Sequence, residues 1–168
     1  MTTRSHRTHA DPAPAPEPWS ELADLVLRIA REIQFRGYTD PEAVPLSTSE
    51  GTVMRRLQRG DGSTPTLLAE ETGLQRTNLS VVLRGLERKG LVERSVSPRD
   101  RRYVTVSATE RGRQNYELVR QEWARAVSEA AGGEAEDLEA ATSLLREIES
   151  GLVEARPATS GRSGTRAE

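Results

Sequence analysis

The sequence predicts a mainly α-helical protein with one small β-hairpin. Three observations predict it. Apolar residues recur at intervals of three and four in six separate segments. Two of those segments, one ending at Gly73 and one opening at Gln75, are separated by a single glycine-marked turn. Directly after them come two short strand-like runs joined by Pro98–Arg99–Asp100–Arg101. Helix, turn, helix and a basic hairpin are the parts of a winged helix-turn-helix, here set within further helices that suit a helical dimerisation domain.

Composition narrows the classes of function. At 168 residues the chain is long enough to bury a core of its own. It contains no cysteine, which excludes disulfides, zinc–thiolate sites and thiol redox sensing. Apolar runs such as Leu25–Val26–Leu27 fall far short of the roughly 20 residues of a membrane span, so no membrane partner is expected. The N-terminus lacks the apolar stretch of a secretion signal, and a cytoplasmic location is expected. The net charge of −2 conceals a strong polarity. Between Gln75 and Arg113 ten basic residues stand against four acidic ones; between Gln114 and Glu154 three arginines stand against ten acids. One end can neutralise phosphates while the other is repelled by them.

In chain order, residues 1–18 carry the run PAPAPEP and read as an extended, disordered arm. His6 and His9 in that arm lack further metal ligands nearby, whereas Arg4 and Arg7 resemble a minor-groove arm. A first helix runs from about Trp19 to Phe35 on the stripe Trp19, Leu22, Val26, Ile29 and Ile33. Pro41 and Pro45 interrupt, and a second helix starts near Ser47, with Ser47 or Ser49 as its cap, and closes at Gly60–Asp61–Gly62. Thr64 caps a third helix, Pro65 takes the first helical position, Leu67, Leu68 and Ala69 are read as facing inward, and Gly73 takes the left-handed turn. The fourth helix buries Leu79, Val82, Leu83 and Leu86 and ends at Gly90. Strands follow over Leu91–Ser97 and Arg102–Ser107.

A fifth helix carries the stripe Tyr116, Val119, Trp123, Ala126 and Ala130, and a sixth carries Leu138, Ala141, Leu145, Ile148 and Leu152. Neither is needed to complete a winged helix, so both stripes are expected to bury elsewhere, against a partner subunit. The organisation is thus one domain over 19–154, with dimerisation helices at 19–37 and 108–154, a winged helix-turn-helix at about 47–107 and a disordered tail over 155–168.

The candidate site is a double-stranded DNA interface. On the fourth helix the residues nearest its N-terminus, Gln75, Arg76, Thr77, Asn78 and Ser80, are placed to reach base edges, with Val81 beside them; Arg84 and Arg88 lie further back, toward phosphate. Thr64 and Thr66 open the preceding helix on the same side. In the wing, Arg94 at the base and Arg99, Arg101 and Arg102 at the tip supply positive charge for a minor groove, and Asp100 fixes the shape of the tip. A solvated polar face and a surface salt-bridge cluster are the plainer alternatives.

The run G-L-x(5)-S-V-V-L-R-G-L-E-R-K-G-L-V-E-R from Gly73, followed by S-P-R-D-R-R-Y-V-T-V-S-A-T-E-R-G, resembles the MarR family of bacterial transcriptional regulators. The likeness is specific from Leu67 to Gly112 and architectural from Trp19 to Leu152. The family's D-x-R wing signature falls on Asp100 and Arg102, and S-A-T-E-R-G-R matches the entry into its long dimerisation helix. The resemblance implies a homodimer whose recognition helices enter successive major grooves of a pseudo-palindromic operator, most often as a repressor. It also implies release by a small aromatic or carboxylate effector; candidates to line that cleft are Trp19, Arg28, Phe35, Tyr38 and Trp123, which equally suit core or dimer interface. Two positions depart from the pattern. Val81 stands where many members have arginine, suggesting an apolar contact there, and Gln75 stands where serine or aspartate usually caps the recognition helix.

No cofactor is expected. Serine, histidine and carboxylate form no nucleophile arrangement, which argues against an enzyme. The competing reading from another class is a winged helix that binds protein, with the acidic helices as its working surface.

Overall fold

In the computed structural model, residues 17–96, 104–133 and 135–156 are described. The elements are α1 (Glu17–Phe35), α2 (Thr48–Leu57), α3 (Pro65–Thr72), α4 (Arg76–Arg88), β1 (Val92–Val96), β2 (Val104–Ala108), α5 (Glu110–Ala130) and α6 (Leu138–Glu154). This is the mainly helical architecture with one antiparallel strand pair that the periodicity predicts. None of the described helices is long and apolar enough to cross a membrane. The chain divides after Phe35 into two units. Taken by itself, the first is α1, an amphipathic helix on which the Arg31 guanidinium lies 5.3 Å from the centre of the Phe35 ring.

The second unit holds the winged helix. Ser47, not Ser49, caps α2: its hydroxyl accepts from the Glu50 N–H while the Glu50 carboxylate accepts from the Ser47 N–H, a reciprocal capping box. Thr64 caps α3 through the Leu67 N–H, Pro65 occupies its first turn, and Gly73 ends it with φ 69°, the left-handed conformation that favours glycine. Leu79, Leu83 and Leu86 of α4 join Val53, Met54 and Leu57 of α2, Leu68 of α3, Leu91, Val92 and Val106 in one buried core. Val82 only flanks that core, packed against it and partly buried.

Two further expectations are corrected. Leu67 does not face inward. It is 42 % exposed, because the α3 core face falls on Leu68, Ala69 and Thr72, and a residue one step before them points away. Nor does the whole α5 stripe seek a partner. Gly112, Asn115, Tyr116 and Val119 are buried within the chain, Trp123 is partly buried against the same core, and only the last two turns of the helix are left largely open. The first half is needed for a packing reason: a Cβ on Gly112 would lie 1.9 Å from the Leu91 carbonyl oxygen, so the start of α5 sits directly on the turn between α4 and β1. The Thr109 hydroxyl donates to the Gly90 carbonyl at 2.8 Å and accepts from the Gly112 N–H, holding that turn in place. Asn115 clamps the backbone before α2, accepting from the Val44 N–H and donating to the Val44 carbonyl.

β1 and β2 pair antiparallel with Val92 opposite Ala108 and Val96 opposite Val104, so β2 runs one residue beyond the expected Ser107. A further bridge joins Ser63 to Val106 through two backbone hydrogen bonds of 2.9 and 2.8 Å. It ties the residue before the α3 cap to the base of the wing.

Candidate nucleic-acid interface

The interface is built on the side of α4 turned away from the core. Its exposed residues are Arg76, Thr77, Asn78, Ser80, Val81, Arg84 and Arg88. At about 3.6 residues per turn, Thr77, Val81, Arg84 and Arg88 lie along the middle of this face, opposite the leucines. Arg76 and Asn78 stand on its two flanks, and the row 76, 80, 84 runs along one edge. Among the described residues no carboxylate lies within ion-pair distance of Arg76, Arg84 or Arg88. These three arginines give the face its positive charge.

Local backbone chemistry shapes the same face. Gln75 holds the cap position of α4 with extended backbone but its side chain makes no capping hydrogen bond. The first-turn N–H groups therefore keep their positive end without an internal acceptor from the cap side chain. The Ser80 hydroxyl donates back to the Arg76 carbonyl at 3.0 Å, which leaves its lone pairs as its outward polar function. Thr64 is occupied in capping α3, with its hydroxyl accepting from the Leu67 N–H at 3.3 Å, while Thr66 is exposed.

Arg94 lies at the wing base as the sequence suggests, but it is engaged: its Nε donates to the Glu87 carboxylate on α4 at 2.6 Å. The pair braces the wing against α4. Arg99, Asp100, Arg101 and Arg102 lie outside the described residues, as do His6 and His9. A second brace, which sequence reasoning missed, lies behind α4. The Lys89 ammonium donates to both Glu50 oxygens, at 2.8 and 2.7 Å, and to the Pro45 carbonyl. Gly85 makes room for it, since a Cβ there would stand 3.0 Å from Glu50 Oε1. The S-x-x-E spacing of Ser47 and Glu50 was the available signal for half of this arrangement.

The effector candidates are placed as follows. The Tyr38 hydroxyl accepts from the Leu46 N–H at 3.5 Å, and Trp123 lays its ring edge over Gly51 and meets Tyr116 edge-on with ring centres 6.5 Å apart. Burial raises the Tyr116 phenol above its ordinary value. The Trp123 indole N–H is buried with no hydrogen-bond partner among the described residues. Trp19, Arg28 and Phe35 belong to α1, where Trp19 and Phe35 stand near opposite ends, about 24 Å apart along the axis. One copy of α1 does not bring those two rings to the same small molecule.

A family model described as MarR family matches residues 45–102. An uncharacterized HTH-type transcriptional regulator of Mycobacterium leprae is 31% identical over 107 residues, covering 62% of this chain and 72% of that protein. Among solved structures, the transcriptional regulator BldR from Sulfolobus solfataricus aligns with a TM-score of 0.62 at 23% identity, over 80% of this chain and 96% of its own. A mutant of the S. aureus regulator MepR bound to an oligodeoxyribonucleotide aligns with a TM-score of 0.53 at 21% identity, over 80% of this chain and 97% of its own. At those identities the structural matches establish the fold.

Proposed function

Because the chain belongs to the MarR family of transcriptional regulators and carries a DNA-binding winged helix, we propose that it is a repressor that holds a pseudo-palindromic operator as a homodimer. The observation that carries the reading is the outward face of α4, where arginines and short polar side chains stand exposed with no fold role. Short residues at the N-terminal half, Thr77, Asn78 and Ser80, suit close approach to base edges in a major groove. Arg84 and Arg88, a turn further back, suit phosphates. The wing arginines Arg99, Arg101 and Arg102 take the adjoining minor groove, and Arg94 sets the wing's angle through Glu87.

The homodimer is supported by α6, whose residues are none of them buried although Leu138, Leu145 and Leu152 repeat every seven residues along one side. α1, taken by itself, likewise has no buried residue, and the last turns of α5 are open in the same way. Repression follows if the operator overlaps a promoter, since a dimer spanning about two grooves excludes polymerase by occupancy alone.

The test is a salt titration of binding to a duplex selected from a random pool. The logarithm of affinity should fall with the logarithm of salt by about 0.9 per phosphate contacted. A flat response would remove the DNA reading and favour a protein-binding winged helix working through its acidic helices. Arg102→Ala should weaken binding strongly with the dimer intact, and Arg76→Ala should relax base preference at one position per half-site by about 1–3 kcal/mol. Titrating an aromatic carboxylate against the complex tests the effector expectation, with dissociation as the expected outcome.

A further inference from the structure

The exposed face of α4 contains six polar or charged residues and one apolar residue, Val81, which is 60 % exposed. Nothing in the fold uses it. It is absent from the core and from the partly buried residues packed against the core. It is also a poor choice for helix formation, because a β-branched side chain loses rotamer freedom in the middle of a helix. Its place on the face is central. Thr77 stands four residues before it and Arg84 three residues after, so the three side chains are neighbours on the helix surface.

The side chains around Val81 are graded in reach. Thr77, Asn78 and Ser80 are short, and Ser80 is drawn back onto its own helix by its bond to the Arg76 carbonyl. Apart from Arg76, which stands on one flank of the face, the long arginines, Arg84 and Arg88, follow in the later turns. A helix with this profile brings the backbone of its first two turns close to the floor of a groove, where a valine can reach. Of the groups displayed in the major groove, the thymine 5-methyl is the apolar one; the others are hydrogen-bond donors and acceptors that valine cannot satisfy. We propose that Val81 is a base-reading residue that selects thymine through its 5-methyl group at one position in each half-site. This rests on the reading of α4 as the DNA-recognition helix.

The experiment replaces each thymine of a pool-selected duplex, one symmetry-related pair at a time, with deoxyuridine, which keeps every hydrogen-bonding group and removes only the methyl. Full-length protein should lose affinity at one pair by about three- to fivefold per half-site, the worth of one buried methyl group. Val81→Ala should bind thymine and deoxyuridine duplexes equally, while Thr77→Ser, which removes the other side-chain methyl on this exposed face, should keep the difference. Placing 5-methylcytosine at that position should restore part of the affinity lost on changing thymine to cytosine. Val81→Ala changes an exposed position to a better helix former, so its Tm should be equal or higher and folding does not confound the result. Enrichment of a duplex whose methyl effects are the same for the wild type and Val81→Ala overturns this inference alone. Failure to enrich any duplex overturns the DNA reading and the inference with it.

Discussion

Two helices of this protein carry leucines at the same kind of spacing and meet opposite fates. On α4, Leu79, Leu83 and Leu86 are at most 2 % exposed, covered by α2, α3 and the base of the wing. On α6, Leu138, Leu145 and Leu152 are 61 %, 44 % and 67 % exposed. Periodicity therefore defines an apolar face without naming what covers it. Helix α5 spans both regimes, with Tyr116 and Val119 sealed into the winged core and Val127 open to solvent two turns later. Burying a leucine is worth roughly 1.5–3 kcal/mol, so a surface that covered the α6 stripe would gain that much for each leucine.

The sharpest way to break the comparison is to damage the covered face. Leu86→Ala should destabilise the winged unit by about 2–5 kcal/mol, and Gly112→Ala should do so by about 3 kcal/mol because its methyl meets a backbone carbonyl that cannot retreat. Denaturant titration at fixed protein concentration measures both; a loss below about 1 kcal/mol would mean the core yields more readily than its packing suggests.

A charge on the open face should act differently. Leu145→Glu should weaken self-association by about 2 kcal/mol, roughly thirtyfold, while leaving the winged helix folded. Sedimentation across a concentration series reads the association and circular dichroism reads the fold. An unchanged dimer constant would move the interface off α6.

Smaller effects sharpen the boundary at α5. The backbone N–H of Thr39, then that of Asp40, and the neighbouring Arg125 guanidinium hold the Glu122 carboxyl below its ordinary value near 4.5. A carboxyl lowered in the folded state contributes stability above its unfolded value, and that contribution disappears as pH falls through the folded one. Glu122→Gln should therefore lower stability at neutrality, where the ionised carboxylate contributes in full, and flatten the acid side of the stability–pH curve below about pH 4.5. An identical acid limb in the variant would deny Glu122 that role. The smallest effect belongs to the wing brace. Glu87→Gln removes a partly exposed ion pair and should cost less than about 1 kcal/mol of stability, yet lower operator affinity by freeing Arg94 and the wing. Unchanged affinity would show that the brace does not set the wing's angle.

Much of the winged helix was legible because its signals are local. Thr64, Pro65 and Gly73 mark α3 through capping chemistry confined to one helix, and Leu79 to Leu86 mark the inner face of α4 within two turns. Leu67 was misread because three consecutive apolar residues on a helix cannot all face one side, and only packing selects which two do. The braces were not legible. Arg94 meets Glu87 and Lys89 meets Glu50 across separate elements, and side-chain types do not reveal which charges will be neighbours.

By itself the sequence determined the order and kind of the elements, the apolar and basic faces, and the family likeness, since backbone propensity, capping and periodicity act over a few residues. Tertiary structure decided which faces close within the chain. It sealed half of α5 against the turn at Leu91, joined Ser63 to the wing, committed Arg94 to Glu87 and left Val81 standing alone on an otherwise polar surface. These are long-range contacts, set by the geometry of packing many elements at once.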